Sequence, residues 1–120
     1  MKKITKKITK KILLECGVGA HFTGFDYLGE ALEMIASDKQ AFKHNTVGLY
    51  SEIAKKFGAR WQNVERSIRS AVESSFDVMT PDQIYAVYGN SIDLRRGKPT
   101  NSQFIATVAE IFGDEIREGE

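Results

Sequence analysis

Cysteine occurs once in the 120 residues, at Cys16. A single thiol excludes an intrachain disulfide framework and fits a reducing compartment. Cys16 itself reads as a small apolar residue on a helix. Histidine occurs twice, at His21 and His44, with no ligand-like spacing, so no metal site is expected. There is no carboxylate pair or nucleophile constellation of the kind catalysis needs, and the chain is not read as an enzyme. No cofactor is expected. The glycines of 17–24 lack the preceding strand, the following Gly-Lys-Ser/Thr and the G-x-G-x-x-G spacing of a nucleotide loop. Two prolines leave long stretches free to be helical. No apolar run approaches ~18 residues, which excludes a membrane-spanning helix. The lysine-rich start has no apolar h-region or cleavage site, so it is not a signal peptide.

What is present is a globular composition, 42% hydrophobic and 28% charged, of a length suited to one domain. The net charge of +1 hides an asymmetry. Residues 1–11 hold six lysines and no acid, so the rest carries 11 of the 17 Lys+Arg against all 16 Asp+Glu. Binding to nucleic acid would therefore use a local basic face. We divide the chain into a lysine-rich extension of the first helix, 1–11, and a domain at 12–120.

The periodicity predicts an all-α chain, a compact bundle of about six helices. In KKITKKITKKILLEC, Ile4, Ile8 and Ile12 recur at i, i+4, i+8 with the lysine pairs off that stripe. This segment reads as a helix with a solvated face, as a phosphate-contacting arm, or as a membrane-surface helix. The glycines of 17–24 break it. A second helix is expected at about 26–37, with Leu28, Ala31, Leu32 and Ile35 buried, and a weaker helix or turn at 38–43. Further helices are expected at about 47–57 and 60–76. Thr80-Pro81-Asp82-Gln83 is a capping box with Pro at the first helical position and starts another, ending at Gly89. Thr100-Asn101-Ser102-Gln103 repeats the box and starts a last helix to about Phe112.

The stretch from Leu49 to Ile68 is the informative one. Two helices crossing at a large angle need a tight turn with Gly, supplied by Gly58, and a small residue near it, supplied by Ala54. Ile53 and Phe57 are expected to face inward. At 100° per residue, Trp61, Val64, Ile68, Ala71 and Val72 share the inner side of the second helix. Gln62, Arg66, Arg69 and Glu73 line the other, with Asn63, Glu65 and Ser70 at its margins. Arg reads guanine bidentately, Gln or Asn reads adenine, and Glu accepts from cytosine. A recognition helix needs this mixture in its N-terminal half. Lys55, Lys56 and Arg60 lie beside it as phosphate contacts.

Three blocks then carry a resemblance: GVGAHFTGFDYLGEALEM at 17–34, LYSEIAKKFGARWQNVERSIRSAVE at 49–73 and KPTNSQFIATVAE at 98–110. The chain resembles the C-terminal effector domain of the stage zero sporulation protein A family, bacterial response-regulator transcription factors. The resemblance implies a six-helix bundle whose helix-turn-helix enters the major groove. It also implies double-stranded DNA carrying a TGTCGAA-like box as partner, homodimers or tandem copies on DNA, contact with RNA polymerase, and a cytoplasmic, nucleoid-associated location without membrane. By the same resemblance Glu65, Arg66 and Arg69 fall on positions approaching bases or nearby phosphates. Lys98, Thr100, Asn101 and Ser102 fall on a loop whose helix start would seat a phosphate. The sequence departs from the family pattern at Gly19, where Pro is usual, at Gly58-Ala59-Arg60, where a hydroxyl residue is usual, and at Asn63, where Arg is common. A lysine-rich helix stands where the family has its phospho-accepting receiver domain. The expected function is therefore a sporulation-type regulator acting without its own receiver. The alternative is a partner that binds no DNA and titrates a full-length relative.

Overall fold

The computed structural model describes residues 2–38 and 46–119, with side chains from Thr5 onward. Among the described residues there are six α-helices, one 3₁₀ turn and no strand. They are α1 (Lys2–Glu15), α2 (Thr23–Ser37), α3 (Thr46–Phe57), α4 (Trp61–Val78), α5 (Pro81–Tyr88) and α6 (Asn101–Glu118), with the turn at Leu94–Arg96. The all-α bundle predicted from periodicity is the fold. The weak helix expected at 38–43, and His44 and Asn45, lie outside the described residues but for Asp38.

Helix α2 occupies the centre and packs against α1, α3, α4 and α6. It begins at Thr23, earlier than the glycines suggest, because Gly24 is there for close approach rather than for a break. A Cβ at Gly24 would collide with the Ser67 carbonyl oxygen, so only glycine lets α2 cross α4 so tightly. Helix α6 likewise runs past Gly113. A glycine stops a helix by taking a left-handed conformation, which Gly113 does not do, and fully buried Ile116 anchors the last turn.

Helix α1 divides into two arcs. Ile12, Leu13, Cys16, Thr5 and Thr9 are buried, with Ile8 half-buried. The stripe is thus broader than the isoleucine repeat. Thr9 satisfies its buried hydroxyl by donating to the Lys6 carbonyl at 2.9 Å. Lys6, Lys7, Lys10 and Lys11 are exposed on the opposite arc. Burial pushes the Cys16 thiol up to about 11, leaving it protonated and unreactive, as an apolar core residue should be.

The other end of the bundle is closed by aromatics. Phe76 of α4, Tyr88 of α5 and Phe104 of α6 pack as a triangle with ring centroids 5.5–6.4 Å apart. Both predicted capping boxes form. Thr80 accepts from the Gln83 N–H at 3.2 Å, and Thr100 accepts from the Gln103 N–H at 3.2 Å. Each Gln side chain returns a bond to the N–H of its threonine. These caps fix where α5 and α6 start. The second places the 98–102 segment beside α3 and α4.

Candidate nucleic-acid interface

Helix α3 ends in a Schellman turn. Gly58 takes φ +65°, and the Ala59 N–H reaches back to the Ala54 carbonyl at 2.9 Å. A Cβ at Gly58 would meet nothing, so the demand is for backbone conformation and not for space. The chain then turns through Arg60 into α4. Ile53 and Ala54 are buried, as are Val64, Ile68, Ala71 and Val72 across the crossing. This is the helix-turn-helix geometry the spacing predicts.

Two apolar expectations need correction. Phe57 is 45% exposed and Trp61 38% exposed. Phe57 is the last residue of α3, and its ring packs edge-on with that of Tyr27 at 5.2 Å. Trp61 points the right way on the helical wheel. A wheel fixes direction, however, and not how far neighbouring helices extend along the axis.

On the outer side of α4, Gln62, Asn63, Arg66, Arg69 and Glu73 are exposed and Glu65 is half-buried. Among the described residues no carboxylate pairs with Arg66 or Arg60. Arg69 does have a partner: its guanidinium donates to Glu65 at 3.0 Å, an i, i+4 pair. Such exposed pairs are worth about 0.3–0.5 kcal/mol, little enough to be exchanged for a base or phosphate.

The predicted phosphate residues do not form one group. Lys55 is exposed and only loosely paired with Glu52, at 3.5 Å. Its neighbour Lys56 turns the other way, onto Glu30 of α2 at 2.6 Å, where Glu30 is 7% exposed. That bond holds the Lys56 ammonium above its ordinary pKa. Lys98 reaches Asp77, near the end of α4, at 2.5 Å. Thr100 is occupied by its own capping box. The Ser102 hydroxyl lies 3.2 Å from that of Thr46, the first residue of α3. Asn101 turns inward, its Nδ2 donating to the Glu65 carbonyl at 3.0 Å.

Three residues that sequence reasoning passed over complete this region. Tyr50 of α3 is buried and lines a pocket together with Asn101; burial raises its pKa although the Asn101 side chain pulls the other way. Thr46 holds Ser102, and Glu30 holds Lys56. The signal for Tyr50 was there, since it lies three and four residues before Ile53 and Ala54 on the buried face. No pattern in sequence says that Asn101 lies beside it.

A compact helical bundle that presents a tight helix-turn-helix, with an Arg- and amide-bearing outer face on the second helix, defines the helix-turn-helix class of DNA-binding domains. The comparison with known families agrees. The sequence model of the family described as sporulation initiation factor Spo0A C terminal matches residues 9–112. The chain belongs to this family, the DNA-binding domain of a sporulation regulator, which is a transcription-factor family and not an enzyme class. No helix among the described residues is long and apolar enough to cross a membrane.

Proposed function

We propose that the chain binds double-stranded DNA in a sequence-specific way, with α4 in the major groove, and regulates transcription of sporulation type. One observation carries this. The first two turns of α4 expose Gln62, Asn63 and Arg66 together, with Arg66 free of any internal ion pair among the described residues, directly beyond the Gly58 turn. Glu65 and Arg69 are held beside them, a weak pair apart from contact with a base.

Phosphate contacts go to Lys55 and Arg60, and to the lysine face of α1; Lys98 is left out because Asp77 holds it at 2.5 Å. The apolar arc of α1 is buried in the bundle, and Leu14 is the one exposed apolar residue described on that helix. A helix lying on a bilayer must bury an apolar face in it, so the charge of this arc favours DNA phosphate over lipid. Lys56 is left out because Glu30 holds it. Homodimers or tandem copies on DNA go with the same reading. Exposed Val78, Tyr85 and Leu94 would give a protein partner such as RNA polymerase an apolar surface.

The test is a gel shift against a TGTCGAA-type duplex and a scrambled one at two salt concentrations. The cognate duplex should bind more tightly at both, and affinity should fall by about 0.9 log units per decade of salt for each phosphate neutralised. A partner that only titrates a relative would bind neither duplex with preference. That outcome overturns the proposal.

A further inference from the structure

Asn101 opens α6, where a polar residue is ordinarily a cap or a ligand contact. Here the capping is done by Thr100 and Gln103, and the Asn101 amide points into the protein. It donates to the Glu65 carbonyl of α4 at 3.0 Å, beside Tyr50 of α3, which lines the same pocket. One residue on, Ser102 meets Thr46 at the far end of α3 from the Gly58 turn, at 3.2 Å. A helix carbonyl takes the N–H four residues ahead and still has a second lone pair. The amide oxygen of Asn101 would repel that carbonyl, so the NH₂ must face it. The start of α6 thus grips both helices of the helix-turn-helix through their polar atoms.

We infer that Asn101 is a positioning residue for sequence recognition, setting the pose of α4 against α3, and that it does not contact phosphate. The inference rests on α4 being the reading helix. Bidentate base contacts tolerate errors of only about 0.5 Å and 10–20°. On the α3 side of this pair Ala54 offers only a small buried side chain, and the turn between the two helices is made by a glycine. A directional bond to the backbone beside Arg66 supplies what apolar packing does not.

The test uses the full chain with Asn101→Asp and Asn101→Leu. Asp keeps the shape, removes the donor and sets a carboxylate against the carbonyl. In the first turn of a helix an acid is favoured by the dipole, so a role in starting α6 would survive this change. Leu removes the donor without adding charge. The readouts are the affinity ratio for TGTCGAA-type over scrambled duplex, the salt slope, and acrylamide quenching of Trp61, the single tryptophan and first residue of α4, without DNA. We expect the ratio to fall roughly tenfold in both variants, the scale of one hydrogen bond. The salt slope of Asn101→Leu should stay at the parent value, and Trp61 quenching should rise. A slope lower by about 0.9 with the ratio intact would mean that Asn101 touches a phosphate and overturn the inference. So would an unchanged ratio with unchanged quenching. If both variants melt below the assay temperature, Ser102→Ala, at an exposed position of the same grip, decides: a smaller loss in the same direction supports the inference, and no change overturns it. A parent chain with no sequence preference defeats the DNA reading, and with it the role in recognition; Trp61 quenching then decides only whether Asn101 sets the pose of α4 against α3.

Discussion

The starts of α4 and α6 both bring polar side chains to a helix end, and the two ends use them differently. At α6 nearly every side-chain donor and acceptor has an internal partner: Thr100 with Gln103, Asn101 with Glu65, Ser102 with Thr46, Lys98 with Asp77. At α4 there is no side-chain cap, and Arg60, Gln62, Asn63 and Arg66 stand exposed. Polar groups with internal partners shape a fold, while those without them are available to a ligand. On the proposed function, the contrast separates residues that would read DNA from residues that would hold the reader still, although the two groups look alike in sequence.

The largest expected effect therefore belongs to Arg66. Replacing it by Ala should cost roughly 1–3 kcal/mol with the cognate box and much less with scrambled DNA. Arg66→Lys keeps the charge but not the bidentate fork, so it should retain most non-specific binding while relaxing discrimination at one G·C pair. Thermal stability should hold, because the side chain is exposed and unpaired. Affinities on both duplexes and a melting curve check all three. An Arg66→Ala protein that discriminates as well as the parent takes this residue out of the reading face.

Lys55 and Lys56 repeat the contrast within two adjacent residues. Lys56→Ala leaves Glu30 buried without its cation. The cost should be about 1–2 kcal/mol of stability, between the values for buried and surface pairs because the lysine itself is half-exposed. Lys55→Ala should change stability by less than about 0.5 kcal/mol and lower the salt slope instead. Denaturant melts and salt titrations of the two variants should give opposite patterns. Equal effects in both assays would erase the distinction.

The fold was largely legible in the sequence, because helix periodicity, capping boxes and a glycine turn are local signals. The six helices and, apart from Phe57 and Trp61, the inner faces of α3 and α4 could be read this way, and the family from the resemblance of three sequence blocks. What could not be read depends on partners distant in sequence. Lys56 looks as free as Lys55 until Glu30, 26 residues earlier, is placed beside it. Asn101 looks like a phosphate ligand until Glu65, 36 residues earlier, takes its NH₂. Gly24 looks like a break because a glycine's purpose depends on what approaches it. Phe57 and Trp61 show the limit of the wheel, which knows angle but not depth.

The lysine face of α1 offers a milder test. Lys7 and Lys11 are exposed and have no ion pair among the described residues. The double variant Lys7→Gln/Lys11→Gln should weaken both duplexes alike and lower the salt slope by about 0.9 for each phosphate no longer neutralised. Discrimination should not change, since phosphate contacts position without specifying. Binding of the parent to anionic vesicles in preference to DNA would assign this face to lipid. A change in box preference would assign it to reading.

The smallest effect lies where α1, α2 and α3 meet. Lys6 and Lys10 of α1, Asp26, Glu30 and Glu33 of α2, and Phe57 line one cleft. Glu33 is raised from 4.5 to about 7 there, first by burial and then by the neighbouring Glu30 carboxylate; Lys6 and Lys56 pull it down but do not win. A carboxyl whose folded pKa lies above its unfolded value favours the folded state while protonated. Its contribution is full below about 4.5 and is lost as pH rises through about 7. Acidifying from pH 8 to pH 5 should therefore stabilise the parent relative to Glu33→Gln, which stays neutral throughout. The variant should melt at or above the parent at pH 8, and the difference should shrink or reverse by pH 5. The same acidification removes the Lys6–Glu33 attraction, leaving Lys6 as free as Lys7, so parent and variant should bind scrambled duplex more equally at the lower pH. A melting difference that does not vary with pH would mean that Glu33 is ionised in this range and that Lys6 and Lys56 hold it as firmly as Glu30 repels it.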